Sequence, residues 1–120
     1  MFDIFDKNII YIPRGNSVDV LVTPIDDATG SPIVLAEGDS VLLTVASKTG
    51  ETVITKRLTS ANYGEGSQGQ LLCSFSPSDT ESLQTGEYPY DCLLQMTGGV
   101  KVTFVVSSLI ITETIGGDAQ

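Results

Sequence analysis

The side chains best suited to covalent or metal chemistry are two cysteines, Cys73 and Cys92, and neither has the company such chemistry needs. The chain has no histidine, which removes every nucleophilic device built on an imidazole base. Two thiolates cannot complete a tetrahedral four-ligand site, so no zinc is expected. Alternation places both cysteines on inward faces of consecutive strands, where they can meet across the core. Two readings follow. Buried free thiols acting as small apolar residues are favoured, because nothing nearby lowers their pKa. A disulfide is the alternative.

Carboxylates are the next candidates. Asp26 and Asp27, and Glu37 and Asp39, are paired in loops that can lie at one end of a domain. Calcium needs six to eight converging oxygens, and the Asp, Asn and terminal Glu spacing of an EF-hand around a glycine is absent. Solvated loop carboxylates are the expectation, and no metal is assigned. Gly64-Glu65-Gly66 stands in a polar loop without a following lysine, so it is not a phosphate cradle. Among the four tyrosines, Tyr88 and Tyr90 belong to the core or a strand corner, leaving Tyr11 and Tyr63 as candidate contact residues at the surface. No catalytic residue and no cofactor is expected, and the chain reads as something other than an enzyme.

The elements that hold these residues are strands. In residues 17–23, Val18, Val20 and Val22 alternate with Asp19 and Leu21, the period of a half-buried strand. Val41, Leu43 and Val45 share a face of residues 40–47, and 48–51 turns the chain into 52–58 as a β-hairpin. Leu71, Cys73 and Phe75 share a face of the next strand. In residues 87–96, Tyr88, Tyr90, Cys92, Leu94 and Met96 do the same. Two further strands are expected at 100–106 and 108–114, a first one at 8–12, and a short edge segment at 33–35. Ser76 caps a helical turn with Pro77 at its first position and Asp79 and Glu81 at its positive end, and Gly86 ends it. Residues 59–70 form the longest polar loop.

Seven or eight short strands without a helix of useful length predict an all-β, immunoglobulin-like antiparallel β-sandwich. The expected organisation is an arm at 1–8, one domain at 9–114 and a polar tail at 115–120. Tyr90-Asp91-Cys92 resembles a tyrosine corner, whose hydroxyl bonds backbone nearby. The chain has no tryptophan, so the antibody-type family is not supported.

Fifteen acidic against six basic residues give a formal charge of −9, which repels phosphate backbones and anionic lipid surfaces. Nucleic acid and membrane are therefore not expected partners. No apolar run approaches the ~20 residues that span a bilayer. Met1 to Asp6 carries two acids and no basic start, so synthesis in the cytosol is expected.

Three segments carry a family resemblance. They are Tyr11-Ile12-Pro13-Arg14-Gly15-Asn16-Ser17, Glu37-Gly38-Asp39-Ser40-Val41, and residues 76–91 with Asp79-Thr80, Leu83, Gly86, Tyr88 and Tyr90-Asp91. Together they resemble small immunoglobulin-like β-sandwich proteins of tailed phages and prophages of Gram-positive bacteria. The pattern is similar to the N-terminal domain of the phage baseplate upper protein. The resemblance implies a virion-associated structural or assembly module in head, neck or baseplate, made in the host cytoplasm. Its implied partners are other virion proteins and further copies of itself. Tyr90, Cys92, Cys73 and Gly86 are then structural residues, and Tyr11, Arg14 and Tyr63 are contact residues. The termini and the loop 61–69 are contact segments. A carbohydrate-binding or cell-surface adhesion module is the alternative.

Overall fold

The computed structural model describes residues 8–25, 29–62 and 70–113. These residues are mainly β, as the sequence predicts. The strands are β1 (Ile10–Pro13), β2 (Val18–Val22), β3 (Ser40–Ala46), β4 (Thr52–Leu58), β5 (Leu71–Phe75), β6 (Gly86–Gln95) and β7 (Lys101–Thr112). One helical turn, α1 (Pro77–Thr80), follows β5, and a 3-10 turn, Ser60–Asn62, follows β4.

Five strands form one sheet in the order β1-β7-β6-β3-β4, and β2 pairs with β5 in a second. The larger sheet curls into a half-barrel. It is mixed rather than antiparallel throughout, because β1 runs parallel to β7 while every other pair in it is antiparallel. A four-residue β1 followed by a turn at Gly15 must leave the sheet at once. Its chain direction is thus set by the crossing to β2, not by a hairpin.

One cluster of buried apolar side chains joins both sheets. Ile12, Leu43, Leu71, Phe75, Leu109 and Ile111 are wholly or almost wholly excluded from solvent. The alternating sets expected in β3, β5 and β6 face this core, and the β3–β4 hairpin forms as the turn chemistry implies. Burying a residue the size of leucine contributes about 1.5–3 kcal/mol. These inward rows therefore determine register.

Two expectations about strands are corrected. In place of two strands at 100–106 and 108–114, the described residues form one, β7. The phase change between Phe104 and Leu109 reflects a bulge, since Cys92 pairs with Val105 and its neighbour Leu93 with Thr103. The extra residue lets both halves keep an inward apolar row on one continuous strand. Residues 33–35 form no strand. That loop instead carries an isolated bridge between Ile25 and Pro32 and a bond from the Ile33 N–H to the Pro24 carbonyl at 2.8 Å.

Candidate functional site

The cysteines lie where alternation places them, Cys73 on β5 and Cys92 on β6, both buried and both free thiols. Burial pushes the Cys73 thiol up to about 11, against a partial offset from Lys56. Burial, with Cys73 itself as a neighbour, pushes Cys92 up to about 12. Neither is a thiolate at neutral pH, so neither is primed as a nucleophile or metal ligand.

Asp39 departs from the expectation of a solvated loop carboxylate, and its neighbour Glu37 does not. The Asp39 side chain is buried. Its Oδ2 accepts from the Ala36 N–H at 2.9 Å, and its Oδ1 accepts from the Thr97 N–H at 3.0 Å and the Thr97 hydroxyl at 3.4 Å. The Ala36 and Thr97 amides hold the carboxyl below its ordinary range despite the opposing effect of burial. The carboxylate thereby ties the turn before β3 to the turn between β6 and β7. Gly38 allows the approach. Its φ is 95°, and a Cβ there would overlap the Thr97 Cγ2 methyl. Asp26 and Asp27 lie outside the described residues.

At the opposite end of the larger sheet the tie to the Gly15 turn is a neutral hydroxyl. Thr80, at the end of α1, is fully buried, and its Oγ1 accepts from the Gly15 N–H at 2.8 Å. The Arg14 N–H donates to the Thr112 carbonyl at 2.9 Å. Arg14 is half-buried in this turn, so its backbone has a structural task whatever its side chain contacts. Asp79 Oδ2 accepts from the Ser76 N–H and from Lys56 Nζ, each at 2.8 Å. Partial burial works to raise this carboxyl, but Lys56 and Ser76 outweigh it and hold it low. The Lys56 ammonium also sits 5.5 Å from the centre of the Phe75 ring, closing the core between β4 and β5.

The tyrosine corner is corrected in detail. Tyr90 is buried, and its hydroxyl donates to the Asn8 carbonyl, far away in sequence at the entry to β1. The local bond of corner type belongs to Tyr88, whose hydroxyl donates to the Gln84 carbonyl at 2.7 Å. Burial raises the Tyr90 phenol, with Cys92 adding to the effect. Gly86 opens β6 with φ 140°, in keeping with its expected role in ending the helical turn.

Of the expected contact residues, Tyr11 is 60% exposed on the outer face of β1, and Tyr63 lies outside the described residues. Sequence reasoning missed Leu21, Val34, Val102 and Val106, which are also exposed. The alternation in β2 already carried the signal for Leu21, an apolar residue on the polar phase. Val20, Leu43, Cys92, Phe104 and Val105 line part of a cleft of about 150 Å³ between the sheets, with Asn8 and Tyr90 at its wall. Among the described residues no three His, Cys, Asp or Glu side chains converge on a point. What the described surface offers is strand edge and scattered apolar side chain.

No protein-family model and no curated protein matches the chain.

Proposed function

We propose that the chain is a non-enzymatic structural module of a tailed-phage virion, an immunoglobulin-like sandwich that acts through protein contacts with other virion proteins. The observation that carries this reading is the segment 76–91. The residues that resemble the phage proteins there are the ones that tie turns and a strand entry to this segment. Thr80 clasps the turn at Gly15, Tyr88 closes the loop at Gln84, and Tyr90 anchors the entry to β1. The sheet order supports the sandwich half of the proposal. A two-stranded sheet faces a larger one whose last strand takes a short first strand in parallel. Exposed edges and a single exposed tyrosine among the described aromatic residues favour main-chain docking over a glycan platform.

The test is mass spectrometry of gradient-purified particles from a host that carries the gene. The reading expects this chain at a fixed stoichiometry to the capsid protein, and portal, capsid or tail genes beside its own. A chain confined to the soluble lysate, with no such neighbours, overturns it.

A further inference from the structure

β7 is paired on both sides for only part of its length. β6 lies along it from Lys101 to Ile111, but β1 covers only Leu109 to Thr112. Among the described residues no strand pairs with the other edge of 101–106. At the start of β1 the Asn8 carbonyl accepts from the Tyr90 hydroxyl, and residues 1–7 lie outside the described residues.

We propose that this edge is the docking site for the same edge of a second copy, forming a two-fold symmetric dimer with one continuous sheet. Backbone direction supports it. The Thr112 carbonyl accepts from Arg14 on the β1 side, and the Val100 carbonyl accepts from Met96 on the β6 side. Alternation from these two points, interrupted by the bulge, turns the main-chain groups of Lys101, Thr103 and Val106 toward the open edge. Thr103 and Val106 also share the outer face, paired with Leu93 and Asp91, while Phe104 and Val105 turn inward to the cleft.

An antiparallel register that sets Thr103 of one copy opposite Val106 of the other satisfies all of these constraints at once. Groups facing the edge meet, outer faces meet outer faces, and the two bulges stand opposite each other. A bulge that ordinarily blunts an edge is matched here by its own copy.

Charge selects the same register. Lys101 is the one charged residue of β7, exposed at its start. The register brings it to the level of Ser108 in the second copy. There the Glu87 carboxylate is held at 2.6 Å by the Ser108 hydroxyl, on the same outer face. Two symmetric Lys101–Glu87 pairs result, and Val106, 53% exposed in the single chain, is covered. The inference uses this edge alone. A chain absent from particles leaves it standing, and a monomeric chain leaves the virion reading standing.

Sedimentation equilibrium on the full chain tests it, with an expected mass of twice 12.7 kDa. Val106→Pro removes an outward N–H without touching a bond to β6, and should give a monomer that keeps the β circular-dichroism spectrum of the wild type. Because a proline can disturb folding, a charge swap provides a second reading. Lys101→Glu should weaken the dimer by roughly tenfold or more, and adding Glu87→Lys in the same chain should restore it. A wild type that stays monomeric at several hundred micromolar, a dimer or larger oligomer that survives Val106→Pro with the fold intact, or a charge swap that restores nothing would each overturn the proposal.

Discussion

The two ends of the larger sheet are closed by different chemistry. At one end a neutral hydroxyl, Thr80 Oγ1, receives the Gly15 amide, beside the Asp79–Lys56 pair. At the other an ionised carboxylate, Asp39, gathers two amides and a hydroxyl from both turns that it joins. Both solve one problem, which is that turns packed against a core must find partners for backbone groups that no strand can serve. The difference teaches which of the two ties answers to acid. A hydroxyl keeps its bond across the ordinary pH range, whereas a carboxylate accepts three donors well only while it is charged.

The largest way to break the comparison is at Gly38. Gly38→Val should cost on the order of 3 kcal/mol, combining a strained positive φ with a collision against Thr97. Thr97→Ser removes the methyl and keeps the hydroxyl, so a double variant should recover part of the loss, as read by urea unfolding. Next comes Thr80→Val, nearly the same in shape. It leaves the Gly15 N–H without its acceptor and should cost about 1–3 kcal/mol, while Tyr90→Phe should cost about 1 kcal/mol. If both are neutral by thermal melting, these two hydroxyl bonds contribute nothing to stability.

The smallest effect, and the one that separates the carboxylate tie from the hydroxyl tie, is a slope in acid. The folded pKa of Asp39 lies below its ordinary 3.8. Its contribution is therefore fully present above that ordinary value and is lost as pH falls through the folded pKa. Asp79 acts with the same sign. Asp39→Asn should flatten the loss of stability on the acid side of pH 4, and Thr80→Val should leave that slope unchanged. Denaturant midpoints at stepped pH decide it, and an equal slope in wild type and Asp39→Asn removes the distinction.

Much of the sheet is legible in the residues alone, because period-two alternation and turn residues are local signals. The rows Val41-Leu43-Val45, Leu71-Cys73-Phe75 and Tyr90-Cys92-Leu94 face the core as their spacing implies. The bulge in β7 is present in the sequence as a phase slip, but a slip reads equally well as a break between two strands. Only the pairing with Cys92 and Leu93 distinguishes them. The contact surface is less legible. Exposure of Tyr11 follows from its phase in β1, but the stretch of β7 left unpaired among the described residues depends on where β1 begins beside it.

By itself, then, the sequence determined the composition of the core, the class of the fold and the lack of an imidazole-based site. It did so because these rest on residue type and on spacing within a few positions. The tertiary structure alone decided that Asp39 is a buried clasp and not a solvated loop acid, that Tyr88 and not Tyr90 makes the local corner bond, and that β1 runs parallel to β7. Each of these joins residues distant in the chain or chooses between neighbours of one chemistry. Local pattern carries no information about which of two tyrosines, or which of two loop acids, will meet a partner across the fold.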